Sequence, residues 1–198
     1  FVYFIIPLLG MIWVMKKLSS SFFDRNTVVV ARDMIGKMLV HESSDGILAG
    51  IIKETEAYTQ EDPASHSYLG KKTKRNLAMF ESPGTLYIYM IYGLHYCFNF
   101  VCEEKGVGCA VLIRDVVPLH GIDIMKKNRH VAVNQLANGP AKLVQAFGIS
   151  AVMNLLPYYK SPLYIAQTND INYFSAINSY SRIGISKGCD LLWRFRGQ

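Results

Sequence analysis

The stretch ILAGIIKETEAY, residues 47 to 58, decides the fold class. It is a run of β-formers and reads as a strand. A second β-rich run, Lys37 to Glu42, precedes it, and Ser43-Ser44-Asp45-Gly46 between them has the composition of a hairpin loop. With a period of two, Glu54 and Glu56 share one face of the strand, together with Tyr58, unless a bulge intervenes.

Working outward, Phe22 to Ile35 reads as a short helix, with cap candidates at Asp24 and Asn26 and a stop at Gly36. Thr59 to Lys74 is polar, contains Pro63 and Gly70, and reads as a long surface loop of the kind that carries function. Arg75 to Phe80 has the character of a helical turn. Thr85 to Ile91 and Leu94 to Val101 are strands joined near Tyr92-Gly93, which puts Tyr92 at a hairpin tip. Gly108 to Val117 is a further apolar strand, interrupted by Arg114. Leu119 to Arg129 and Gly139 to Phe147 read as helices, Pro162 to Gln167 and Arg182 to Ile185 as short strands, and Trp193 to Arg196 closes the chain. Strands dominate and helices sit at the edges, so the expected class is α+β: a single mixed domain on a largely antiparallel β-sheet with peripheral helices.

The 198 residues suffice for one domain with a proper core, and the 51% apolar content excludes disorder. Lys plus Arg outnumber Asp plus Glu by 21 to 15, giving a net charge of +6, as for a protein with an anionic partner. Much of the apolar excess lies in residues 1 to 15, FVYFIIPLLGMIWVM, which carry no charge. That run is short for a membrane span and contains Pro7 and Gly10; the features of a secretion signal are missing from it. Met15-Lys16-Lys17 has the look of a translation start. Residues 1–18 are therefore expected to be an apolar extension outside the fold, with a weak membrane anchor or a structural element as the alternatives, and residues 19–198 the functional domain, cytoplasmic and without membrane attachment. Cys97, Cys102, Cys109 and Cys189 form no CxxC pair and have no His at metal-ligand spacing, so no zinc site is expected.

Several residues stand out chemically. Paired acids such as Glu54 and Glu56 usually mark a solvated face, but this pair leads into a loop with Asp62, His66 and the basic run Lys71, Lys72, Lys74 and Arg75, which has the pattern of a phosphate-contacting patch. Tyr58, Tyr68, Tyr87, Tyr89, Tyr92 and Tyr96 crowd the same region; they suit β-structure and core packing, and equally the stacking of a flat base. Arg114 and Asn99 are polar residues inside apolar strands and need partners, either in a structural pair or in a site. No P-loop, dinucleotide fingerprint or GxSxG motif is present.

These residues fall into short motifs that occur in one order: Glu54-Thr55-Glu56-Ala57-Tyr58, Asp62-Pro63-Ala64-Ser65-His66-Ser67, Thr73-Lys74-Arg75-Asn76, Met79-Phe80, Pro83-Gly84-Thr85-Leu86-Tyr87-Ile88-Tyr89 and Ile91-Tyr92-Gly93, followed by Asn99, Ala110-Val111-Leu112-Ile113-Arg114, Asn138-Gly139-Pro140-Ala141-Lys142-Leu143 and Arg182-Ile183-Gly184-Ile185. The set resembles the alkyladenine (3-methyladenine, methylpurine) DNA glycosylases over about residues 22 to 195. A departure is Leu192, where that family commonly shows Pro.

The resemblance implies a curved antiparallel sheet and a monofunctional base-excision enzyme. Such an enzyme hydrolyses the N-glycosidic bond of alkylated or deaminated purines (3-methyladenine, 7-methylguanine, hypoxanthine, ethenoadenine), flipped out of double-stranded DNA, and leaves an abasic site. Position by position it implies Glu56 as the base that activates water and Arg114 as its helper. Tyr58, His66, Tyr89 and Asn99 would form the base pocket, Tyr92 the wedge that fills the vacated stack, and Lys71, Lys72, Lys74 and Arg75 the contacts to the DNA backbone. It implies no cofactor, no metal and a monomer with no required protein partner. No lysine stands at these motif positions, so strand cleavage through a Schiff base is not expected. A non-catalytic sensor of damaged DNA has no need of Glu56, and a membrane-anchored enzyme acting on wall sugars leaves the tyrosines and the basic loop unexplained.

Overall fold

The computed structural model describes residues 3–8, 11–167 and 173–198. Strands β1 (Tyr3–Leu8) and β2 (Met11–Lys17) form a hairpin. Then come α1 (Thr27–Asp33), β3 (Met38–Ser43), β4 (Gly46–Tyr58), β5 (Leu86–Ile91), β6 (His95–Val101), β7 (Ala110–His120), α2 (Ile122–Asn128), α3 (Pro140–Ala146), β8 (Leu163–Gln167), β9 (Ile177–Tyr180) and β10 (Arg194–Gly197). They build one curled antiparallel sheet in the order β1-β2-β8-β3-β4-β7-β6-β5, with β10 bridging β4 and β9. The fold is α+β, with helices at the periphery. Among the described residues no helix is long and apolar enough to cross a membrane.

The 13-residue strand β4 is the axis of the sheet. Its first half pairs with β3 (Met38↔Ile51 to Ser43↔Gly46), its second half with β10 (Glu54↔Arg196, Glu56↔Arg194), and residues from Ala49 to Tyr58 with β7. The β4–β7 ladder shifts register next to Gly50 and on both sides of Glu54. At Gly50 the strands come so close that a Cβ would lie 2.5 Å from the Val117 carbonyl, so only glycine fits.

One face of the sheet carries the main core. Leu86, Ile88, Phe98, Phe100, Val111 and Ile113 pack there with Val30, Ala31 and Met34 of the α1 region and Leu143, Val144 and Phe147 of the α3 region. Each such side chain contributes about 1.5–3 kcal/mol on full burial. A smaller cluster lies on the opposite side of β5–β7: Tyr87, Val101 and Ala110 against Ala78, Met79 and Phe80, with Tyr89 packed on it. The two clusters follow from the period of two in β5, which sends Leu86 and Ile88 one way and Tyr87 and Tyr89 the other.

Several boundaries differ from the sequence reading. Helix α1 begins only at Thr27, because the Asn26 side chain accepts hydrogen bonds from the backbone of Val28 and Val29 and caps it there. Leu119 and His120 belong to β7, and the helix after them starts beyond Gly121, whose φ of +72° turns the chain. Arg182 to Ile185 is not a strand, because its backbone serves the site described below. Strand β9 was not anticipated. The β1–β2 hairpin meets the rest of the sheet through Lys16↔Gln167 and Lys17↔Ala166 of β8.

Candidate active site

Glu56 is completely buried on β4, and both of its carboxylate oxygens accept hydrogen bonds. Tyr58 Oη (2.8 Å) and Arg114 Nη1 (3.2 Å) donate to Oε2, and the backbone N–H of Ile183 (2.8 Å) donates to Oε1. All three partners are donors, as an ionised carboxylate requires. Burial and the adjacent Glu56 hold the Tyr58 phenol well above the ordinary tyrosine range, so it stays a neutral donor.

Tyr58, Arg114 and Ile183 also line a cavity of about 370 Å³, the size of a small-molecule site. Its walls include His66, Tyr87, Tyr89, Cys97, Asn99 and Leu112. Tyr87 and Tyr89 stack at 5.0 Å, and His66 meets Tyr89 edge-on at 4.8 Å. Nδ1 of His66 shares a 2.8 Å hydrogen bond with the Tyr87 hydroxyl. Burial, reinforced by the charge of Arg75, pushes the imidazole below its usual pKa, which favours a neutral ring at neutral pH. Asn99 is buried and donates to the Tyr87 carbonyl (2.9 Å), which fixes its amide at the cavity wall. Among the described residues no three His, Cys, Asp or Glu side chains are grouped to hold a metal ion.

The polar loop that carries His66 is held by its own side chains. Asn76 is buried, donates to the carbonyls of His66 (2.7 Å) and Lys71 (2.9 Å), and accepts from the Thr73 N–H (2.7 Å). Ser67 donates to the Gly108 carbonyl, and Gly108 donates back to Gln60. Asp62 is buried in an ion pair with Arg182. The Arg182 guanidinium also donates to the Ala57 carbonyl and lies over the rings of Tyr58 (4.7 Å) and Trp193 (5.4 Å). That anchorage delivers the next residue, Ile183, to Glu56.

The other expected site residues separate into groups. Tyr92 is at the tip of the β5–β6 hairpin, 92% exposed, and has φ +51° beside Gly93 at φ +68°. Two successive left-handed residues make the tight turn that matches strand twist, although a bulky residue there is strained. Lys71, Lys72 and Lys74 are exposed on the loop. Arg75, expected among them, turns back to the cavity: its guanidinium lies 5.0 Å over the Tyr89 ring and donates to the Met90 carbonyl. Neither acid of the strand lines the cavity itself; Glu56 lies behind Tyr58, Arg114 and Ile183, which do, whereas Glu54 is surrounded by Arg114, Arg194 and Arg196 at 3.2 Å each. The sequence reading missed Arg194 and Arg196. Their only local signal is the alternation of Trp193, Arg194, Phe195 and Arg196, which gives a terminal strand one basic face.

The profile of a family described as methylpurine-DNA glycosylase matches residues 21–198. A protein of Bradyrhizobium diazoefficiens is 45% identical over 183 residues, covering 91% of this chain and 86% of its own. One of Salinibacter ruber is 43% identical over 192 residues, covering 91% and 93%. A third, from Nitrobacter winogradskyi, is 42% identical over 191 residues, covering 96% and 85%. All three carry the provisional name 3-methyladenine DNA glycosylase.

Proposed function

The chain belongs to the methylpurine-DNA glycosylase family, and from that premise we propose that it excises alkylated and deaminated purines from double-stranded DNA by hydrolysing the N-glycosidic bond. The observation that carries this reading is Glu56 itself, a buried carboxylate gripped by three donors directly behind an aromatic cavity.

A purine inside a duplex is out of reach of any such cavity, so it must leave the stack at a cost of a few kcal/mol. The exposed Tyr92 is the group suited to fill the gap. Once in the cavity, the base lies among Tyr58, Tyr89 and His66. A ring-alkylated purine can carry positive charge, and aromatic faces stabilise a flat cation by stacking and cation–π contact. Hypoxanthine and ethenoadenine have the same flat shape without that charge. The Asn99 amide, fixed at the wall, is suited to disfavour guanine through its bulk.

Cleavage passes through a sugar with oxocarbenium character, which a nearby carboxylate stabilises while it takes a proton from the attacking water. Glu56 takes that role. Arg114 and the Ile183 N–H hold its oxygens in place, and Tyr58, a neutral donor, does not compete for the proton. The surface lysines add affinity for phosphate that is independent of sequence and sensitive to salt.

The test is incubation with a duplex containing one hypoxanthine, ethenoadenine or methylated purine, followed by alkali to reveal abasic sites. The expected result is alkali-dependent cleavage at the lesion. A folded protein that binds the duplex and yields no abasic product overturns the reading.

A further inference from the structure

Glu54 has no part in the chemistry outlined so far, yet it is one of the most heavily partnered side chains among the described residues. It is 5% exposed, and three guanidiniums meet its two oxygens. Arg114 Nε and Arg194 Nη1 lie 3.2 Å from Oε1, and Arg196 Nη1 lies 3.2 Å from Oε2. A buried carboxylate needs such compensation, but a single arginine already supplies the charge.

The backbone is arranged for this contact. Arg196 stands directly opposite Glu54 in the β4–β10 ladder, and the β4–β7 ladder breaks register on both sides of Glu54. Bulges of this kind re-aim a side chain. Here the result is that one guanidinium, Arg114, spans both carboxylates of the strand, with Nε on Glu54 and Nη1 on Glu56. The Arg114 side chain also lines the cavity.

We propose that Glu54 is a positioning residue: held by Arg194 and Arg196, it fixes the plane of the Arg114 guanidinium so that Nη1 stays on the water-activating Glu56. The inference rests on the glycosylase reading and deepens it. Without Glu54, Arg114 keeps a single point of attachment and can rotate about it. The misplacement acts on the chemical step and leaves the binding of DNA, which depends on Tyr92, the cavity walls and the surface lysines, largely unchanged.

The experiment compares wild type, Glu54→Gln, Arg114→Lys and the double variant in single-turnover excision and in lesion-duplex binding. Glu54→Gln is expected to slow excision about 10- to 100-fold, as loss of a charge-assisted hydrogen bond implies, with Kd unchanged within about 2-fold. In the Arg114→Lys background the same change is expected to have little further effect, because the contact it removes is already gone. Wild-type rates in Glu54→Gln, or an undiminished effect in the double variant, overturn the proposal. If Glu54→Gln gives no cooperative unfolding transition, Glu54→Asp takes its place: its shorter carboxylate is expected to slow excision with binding intact, and an unchanged rate overturns the proposal equally. A wild-type protein that makes no abasic sites counts against the glycosylase reading, whereas active wild type with equally active variants counts against the role of Glu54 alone.

Discussion

Asp62 and Arg182 stand 120 positions apart in the chain and form an ion pair whose two side chains are both fully buried, with Arg182 Nη2 donating to Asp62 Oδ1 at 2.9 Å. The pair joins the loop that carries His66 to the segment that presents the Ile183 N–H to Glu56. It is the clasp between the two sides of the cavity.

Removing one partner leaves the other charge buried and uncompensated. Asp62→Asn and Arg182→Met are each expected to lower stability by about 3–5 kcal/mol, measured by urea denaturation. Excision is expected to fall as well, because Ile183 loses its anchorage. A variant of native stability would show that the clasp is dispensable.

Glu56→Gln preserves the shape of the side chain and removes its capacity to take a proton. Lesion-duplex binding is expected to persist while single-turnover excision falls about 10²- to 10⁴-fold, the range for a lost general base. Retained turnover would transfer the role to another residue.

Tyr92 is so exposed that its removal leaves the folded protein alone. Tyr92→Ser is expected to keep the unfolding midpoint and to weaken lesion-duplex binding by about 1–3 kcal/mol, the scale of one lost stacking contact. Unchanged affinity in a titration would remove it from the wedge role.

Lys71, Lys72 and Lys74 are expected to act as phosphate contacts and Arg75 as part of the cavity. Replacing the three lysines by Gln is expected to flatten the plot of log K against log salt by about 1 for each lysine that meets a phosphate. Arg75→Gln is expected to change the ratio of excision between cationic 7-methylguanine and neutral hypoxanthine, since its charge lies over Tyr89. If Arg75→Gln moved only the salt slope, it would belong with the lysines.

Two histidines make stability depend on pH. Burial lowers the pKa of His41 despite its 2.7 Å contact with the Phe147 carbonyl, and it lowers that of His66. Burial disfavours the protonated form of both in the folded state, while their unfolded counterparts take up protons near pH 6.5. Below that pH the unfolded state binds more protons, so stability is expected to fall as pH drops through 6.5 and to level off once the folded histidines protonate. Urea midpoints at pH 7.5 and 5.5 measure the drop, and His41→Asn with His66→Asn is expected to reduce it.

The local pattern of the chain carried strands β3 to β8, the hairpin tip at Tyr92, the shared face of Glu54, Glu56 and Tyr58, and the split between aliphatic and phenolic faces in β5. Each depends on a short-range rule: alternation along a strand, or a turn between two apolar runs. The order of the motifs carried the family. The tertiary structure alone decided that Arg114 spans Glu54 and Glu56, that Arg194 and Arg196 complete the setting of Glu54, that Arg75 turns from the lysines to Tyr89, and that residues 182–185 give up strand pairing to offer Ile183 to the carboxylate. These outcomes depend on where a bulge falls and on which buried charges find one another across 58 to 142 residues of chain. The need to pair every buried charge is a property of the folded interior, and no stretch of sequence records which partner will be within reach.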